Sequence, residues 1–276
     1  MIADVAEIPA AAVSLPGGCS NTKVDEPEAK PVVTALDTAI SGLQKTILDD
    51  LEPGMLLPAE ADLAAQYGVS RLTIREALKV LTGRGLVKSR RGRRPEVCEP
   101  DSSILSAHLR MASRREPRAL LELIEIRESL EVLVSGLAAS NSTRAAVSGV
   151  SAALDRMRAA ATTLDAGPAD EHTVSEYNQA DIAFHEGLAL ASGNRMLAFL
   201  LEGFEGPLQH SFAHSFEGHV RRGTRVADVV AAHDKVLGYV RAADAANARK
   251  AMRALLRSTA RDLRYSLLDD LRPATG

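Results

Sequence analysis

Residues Leu57 to Val97 constrain this chain most, because a helix pair, a glycine turn and a cationic hairpin follow one another within them. Leu63, Ala64 and Tyr67 form one apolar stripe, Gly68 bends the chain, and Ile74, Ala77, Leu78 and Leu81 form a second stripe at helical spacing. Two short helices crossing at a tight turn fit this pattern. Ser70 offers a hydroxyl to a free amide in the first turn of the second helix, and Gly83 and Gly85 are its stop signals. Arg71, Arg75 and Lys79 recur every four residues and share the face that the apolar stripe leaves open. Such a face suits a DNA major groove, where arginine can fork onto guanine and also reach phosphate. Leu86 and Val87, then Lys88, Arg90, Arg91, Gly92, Arg93 and Arg94, read as two short strands around a cationic glycine tip.

Charge separates a nucleic-acid face from a merely solvated one. The 276 residues include 33 Lys or Arg and 36 Asp or Glu. Arg71 to Arg94 takes nine of the basic residues and one acid, Glu76, which leaves 24 basic against 35 acidic elsewhere. A basic head on an acidic body is expected where one end alone approaches phosphate. With 3% aromatics and no tryptophan, a base-stacking single-strand binder is disfavoured and duplex DNA preferred.

The length suits two domains. Residues 1–30, rich in Pro and Gly and lacking a basic start before an apolar run, read as a mobile tail rather than a signal peptide. No apolar run approaches the roughly 18 residues of a membrane span, so no membrane association is expected. Cys19 and Cys98, far apart in sequence, read as free thiols of a cytoplasmic protein. Leu36, Ile40, Leu43, Ile47 and Leu51 mark the first of three helices in a winged helix-turn-helix over 31–98. Residues 99–117 read as a linker with a partial helix, and 118–276 as an all-α bundle of six or seven helices. Within the bundle, periodicity predicts helices over Leu120–Leu137, Val147–Met157, Tyr177–Ser192, Leu197–Val220 with a kink at Pro207, Val226–Val240 and Ala245–Leu271, with Leu164–Glu171 as a loop. The fold class is therefore mainly α, a three-helix head with a two-stranded wing followed by a helical bundle.

Leu57-Pro58-Ala59-Glu60, Gly68-Val69-Ser70-Arg71, Ile74-Arg75-Glu76-Ala77-Leu78 and Gly85-Leu86-Val87 before Arg91-Gly92-Arg93 together resemble the winged helix-turn-helix of GntR-type bacterial transcription regulators. The resemblance implies that Ser70, Arg71, Thr73 and Arg75 contact DNA from the recognition helix and that Arg91, Gly92 and Arg93 do so from the wing. Ala61 stands where the family usually has an arginine, which implies one contact fewer. Ile126-Arg127-Glu128-Ser129-Leu130-Glu131, Asp181-Ile182-Ala183-Phe184-His185, Gly193-Asn194 and His233 resemble the all-helical effector domain of the FadR branch of these regulators.

Asp181 and His185, four apart on one helix, can converge on a cation, and a carboxylate with an imidazole suits zinc, nickel or manganese. The branch pattern implies His233 as the third ligand, and Leu255 where metal-binding members carry a further histidine. His210 and His214 are alternative donors, and the other reading is a metal-free pocket. Arg127 resembles a pocket arginine that clamps a carboxylate, with an ion pair to Glu131 as the competing role. His108, His172 and His219 read as surface or hydrogen-bonded residues. No phosphate loop or nucleophile–base pair supports an enzyme. The expectation is a dimeric repressor that binds a pseudo-palindromic, double-stranded operator under control of a small carboxylate such as a sugar acid or hydroxy acid. The alternative is a nonspecific architectural DNA binder without an effector.

Overall fold

The computed structural model describes residues 33–270 except 91, 116, 117, 205, 208–215, 217 and 220. The head comprises α1 (Ala35–Asp50), α2 (Glu60–Tyr67) and α3 (Arg71–Gly83), followed by antiparallel β1 (Val87–Lys88) and β2 (Glu96–Val97). Thr34 starts α1 with a reciprocal cap: its hydroxyl accepts from the Asp37 amide at 3.1 Å, and the Asp37 carboxylate accepts from the Thr34 amide at 3.0 Å. Both amides belong to the set that a helix start leaves unpaired. Gly68 ends α2 at φ 63°, a left-handed conformation that glycine adopts without strain, and its amide turns back to Ala64 and Ala65. Ser70 Oγ accepts from the Thr73 amide at 3.0 Å, as its start signal requires. Leu43, Leu57, Leu63, Ile74, Ala77 and Leu81 close the core between the three helices, with Val87 and Val97 beneath the hairpin.

The wing is less independent than a simple hairpin. Leu56 bridges to Glu96, and the amides of Leu57 and Val97 donate to Pro95 and Met55, each at 2.8 Å. The residues before α2 thus form a third edge of the sheet. Arg94 ties this edge down, its Nε donating to the Leu57 carbonyl at 2.6 Å.

The rest is helical: α4 (Ser103–Arg115), α5 (Arg118–Asn141), α6 (Arg144–Ala166), α7 (Glu171–Ala191), α8 (Arg195–Gly203), α9 (Val226–Arg241) and α10 (Ala245–Asp270). Residues 99–117, expected to be largely linker, are mostly α4. This helix touches both parts: Ile104 lies against Gly85 of the head, and Leu105 against Gly203 at the end of α8. Only 167–170 separate α6 from α7, fewer residues than the loop expected over Leu164–Glu171. Two acids of that stretch, Asp165 and Asp170, cap helices. Asp170 accepts from the Thr173 amide at 3.0 Å, and Asp165 from the Val226 and Ala227 amides at 2.9 and 3.0 Å. Leu197–Val220 is not one kinked helix, for α8 ends at Gly203 and Pro207 lies in a separate helical piece. Val150, Leu154, Met157, Phe184, Leu188, Leu237 and Met252 fill the bundle core. Each such side chain contributes about 1.5–3 kcal/mol on leaving water. No helix among the described residues is long and apolar enough to cross a membrane.

Candidate functional site

α3 turns Arg71, Arg75 and Lys79 to solvent, while Ile74, Ala77, Leu78 and Leu81 are buried on its other side. Arg75 Nε donates to Glu60 at 2.6 Å and Lys79 Nζ to Glu76 at 2.8 Å. Exposed ion pairs of this kind contribute at most about 1 kcal/mol, so a phosphate or a guanine edge can replace either acid. Arg71 has no resolved ion pair among the described residues. Ser70 and Thr73 share a hydroxyl hydrogen bond of 2.8 Å at the helix start. Arg90, Gly92 and Arg93 are exposed at the hairpin tip, where Gly92 adopts φ 74°. Arg91 lies outside the described residues. Arg94, bonded to Leu57 and Leu56, serves the wing's own structure.

In the bundle, three donors from two helices meet. Asp181 and His185 project from α7 and His233 from α9, each offering a ligand atom within 4.8 Å of the others. His233 Nε2 lies 3.0 Å from Asp181 Oδ1 and 3.3 Å from His185 Nε2, and His185 Nε2 lies 4.0 Å from Asp181 Oδ1. Ligands about 2.0–2.2 Å from a tetrahedral cation stand roughly 3.3–3.5 Å apart, so this triangle needs little adjustment. The far nitrogens are already engaged. Nδ1 of His233 donates to the Val229 carbonyl at 2.8 Å, and Nδ1 of His185 meets the Glu131 carboxylate on α5. Both contacts direct Nε2 inward, as outer partners of a metal-bound histidine do. Phe184, fully buried on α7, sets its ring edge-to-face against both imidazoles, with centroids 5.5 and 4.9 Å away.

The charges favour the same arrangement. Burial opposes ionisation of Asp181, but the hydrogen bond from His233, with His185 and Arg127 nearby, holds its carboxyl at about 2. Burial likewise opposes the charge on Glu131, and Arg127 and His185 overcome it, again to about 2. Arg127 Nε donates to Glu131 at 2.6 Å with both side chains buried, so the ion-pair role is realised. Arg127 nevertheless lines the cavity of about 60 Å³ that the three donors face. Leu255 is a buried core residue, 3% exposed, and supplies no ligand.

This architecture agrees with what known proteins show. Residues 37–97 match the family model "Bacterial regulatory proteins, gntR family", and 122–258 match the FCD domain. The putative L-lactate dehydrogenase operon regulatory protein of Escherichia coli K12 is 30% identical over 229 residues, covering 80% of this chain and 83% of that protein. The chain belongs to the GntR family of transcription regulators. The Glc operon transcriptional activator of the same organism is 30% identical over 176 residues, 63% of this chain. That match spans 66% of the relative's length, just under two thirds. Bacillus subtilis LutR is 29% identical over 75% of this chain and 90% of its own. Among solved structures, Streptococcus agalactiae GntR shares the fold, with a TM-score of 0.63 and 22% identity over 83% of this chain and 99% of its own. These relatives are transcription regulators rather than enzymes.

The remaining histidines of the regulator divide clearly. His108 bonds its own helix at the Ile104 carbonyl, and His172 is an exposed partner of Glu176. His210 and His214 lie outside the described residues. His219, read from sequence as an ordinary histidine, is buried and lines the cavity. Nothing near it in sequence signals this, because Asp262, its acidic partner, belongs to α10. Glu131 was visible only as a possible partner of Arg127, and its contact with His185 requires the packing of α5 on α7.

The hydrogen bond to Asp262 raises the pKa of His219 above the ordinary 6.5, although burial works against it. A group with a raised folded pKa lends its full stability below the unfolded value and loses it as pH climbs through the folded one. Thermal melts of the regulator should therefore lose stability as pH rises above 6.5, and Asp262→Asn should flatten that part of the profile. An identical pH profile in the variant would show that the pair is not linked to folding.

Proposed function

We propose that the regulator is a two-fold symmetric dimer that represses from a pseudo-palindromic operator and is released by a small organic acid bound beside a divalent metal. The observation that carries this reading is the convergence of Asp181, His185 and His233, with their outer nitrogens already backed by Glu131 and the Val229 carbonyl. Those three residues would hold zinc, nickel or manganese, which supplies open coordination positions for a carboxylate and a neighbouring hydroxyl. Arg127, paired with Glu131, lines the same wall. A cavity of about 60 Å³ holds roughly four to six waters and matches a short sugar acid or hydroxy acid, not a long acyl chain. The relatives named for a lactate dehydrogenase operon and a Glc operon support a small-acid effector in a cytoplasmic regulator.

On DNA, Ser70, Arg71, Thr73 and Arg75 would enter the major groove while Arg91, Gly92 and Arg93 follow the adjacent backbone. One head makes too few contacts for tight specific binding, whereas two heads on half-sites combine their energies. α4, whose first turn packs on Gly85 of the head through Ile104 and on Gly203 of α8 through Leu105, is the element through which the occupied bundle would reset head spacing. The shift in operator affinity equals the ligand's difference in affinity for the two arrangements. An architectural binder without an effector leaves this buried, charged cavity without a use.

Mobility shifts on the DNA upstream of the gene, with and without lactate and related hydroxy acids, test the proposal. Arg75→Ala should cost about 1–3 kcal/mol on that DNA and relax base preference, whereas Arg93→Ala should weaken specific and random duplex alike. Equal losses on both duplexes for both variants would mean that α3 does not read bases. No response to any acid, in protein that binds its operator, would remove the effector.

A further inference from the structure

The metal-binding triad occupies only part of the cavity wall. His219 faces the same space from the segment between α8 and α9, and is 7% exposed. Gly218 brings it there, because a Cβ at 218 would stand 2.0 Å from the Asp262 carbonyl oxygen, so the backbone at Gly218 lies directly against that of α10. Nδ1 of the ring lies 2.9 Å from Thr224 Oγ1 and 3.6 Å from Asp262 Oδ2, and the other Asp262 oxygen accepts from Arg222 at 2.6 Å. These contacts fix the ring's orientation and aim its second nitrogen. Nε2 has no hydrogen-bond partner among the described residues. A polar atom buried without a partner destabilises the fold until a ligand satisfies it.

Charge identifies the ligand group. Asp262 is the first cause favouring the protonated ring, and the Arg225 carbonyl adds to it against the effect of burial. Arg222 and a protonated His219 then share the single Asp262 carboxylate, which leaves one positive charge in excess in this cluster. The partner that fits Nε2–H is therefore an anionic oxygen.

We propose that His219 Nε2 binds a second acidic group of the effector, so that the regulator's ligand is a short dicarboxylate spanning from the Asp181–His185–His233 end of the cavity to His219. This rests on the effector reading above and narrows it from small acids in general to those charged at both ends. Thr224, Asp262 and Arg222 act as positioning residues, since Thr224 and Asp262 contact Nδ1 of the ring rather than Nε2 and Arg222 holds the Asp262 carboxylate.

Calorimetric titration of the zinc-loaded full-length protein with tartronate and with lactate tests the proposal. The two acids share a hydroxy-carboxylate end, and tartronate carries a carboxylate where lactate has a methyl group. One charge-assisted hydrogen bond should make tartronate bind at least about tenfold tighter. His219→Gln should abolish that preference by weakening tartronate while leaving lactate affinity and zinc uptake unchanged. Asp262→Asn, which keeps the ring and removes its counter-charge, should shrink the preference, and provides the test if His219→Gln does not fold. A preference retained in both variants overturns the proposal. Equal weakening of both acids, or wild-type protein that binds lactate as well as tartronate, does so too. If the wild type takes up no zinc, the metal reading fails separately, and the same comparison on metal-free protein still decides the role of His219.

Discussion

Replacing His233 with alanine is expected to lower zinc affinity by more than about a hundredfold, because loss of an outer partner alone typically costs 10–100-fold and His233 is placed as a direct ligand. Of the three donors it is the one common to both short edges of the triangle, 3.0 Å from Asp181 and 3.3 Å from His185. Without it, Asp181 and His185 remain on a single helix with a separation of 4.0 Å, and two protein ligands hold a borderline cation weakly. Competition against a chromophoric chelator measures the loss, and metal analysis after dialysis checks it. In metal-free protein the substitution also removes the ring's hydrogen bonds to Asp181 and Val229 and its edge contact with Phe184, so unfolding of the metal-free variant is measured beside its zinc affinity. If the variant keeps wild-type zinc affinity, the triad does not bind the metal.

Glu131→Ala should have the largest effect on stability. The carboxylate is buried between the Arg127 guanidinium and the His185 imidazole, and removing it strands Arg127 at 5% exposure without its counter-charge. Breaking a buried pair by deleting one partner typically costs about 3–5 kcal/mol. Arg127 and His185 hold Glu131 at about 2 instead of the ordinary 4.5 against the opposing effect of burial, so its charged form stabilises the fold. A depressed carboxylate pKa makes that contribution complete above the unfolded value, and acid removes it as pH falls through 4.5 toward 2. Urea unfolding near neutral pH should show the full loss in Glu131→Ala, and the gap between variant and wild type should close in acid. Glu131→Gln keeps the shape and should lie between them. A variant as stable as wild type at neutral pH would mean that water or another group compensates Arg127.

The head could be read from the chain almost residue by residue because its signals are local. Ser70 caps the helix it precedes, Gly68 takes the left-handed conformation its turn requires, and the buried positions of α3 are those of the apolar stripe. The wing's third edge could not be read this way, since Met55, Leu56 and Leu57 pair with residues far along the chain. In the bundle, local chemistry misled where one residue type serves two purposes. Asp165 and Asp170 both fall in the stretch expected to be a loop, yet Asp170 caps its own helix α7 and Asp165 caps α9, which only tertiary packing places beside it.

The candidate site divides along the same line. Helical period alone puts Asp181 and His185 on one face of α7, and the family pattern points to His233 as their companion. Which way the rings face, which carboxylate backs them and what else shares their cavity depend on how α5, α9 and α10 lie against α7. Glu131 and His219 entered the site only through those contacts. The order of residues thus settles which helices form and which faces they bury, because capping and periodicity act over one or two turns. Packing settles the chemistry of the pocket, because its charges, tautomers and unsatisfied atoms arise between segments that are remote in the chain.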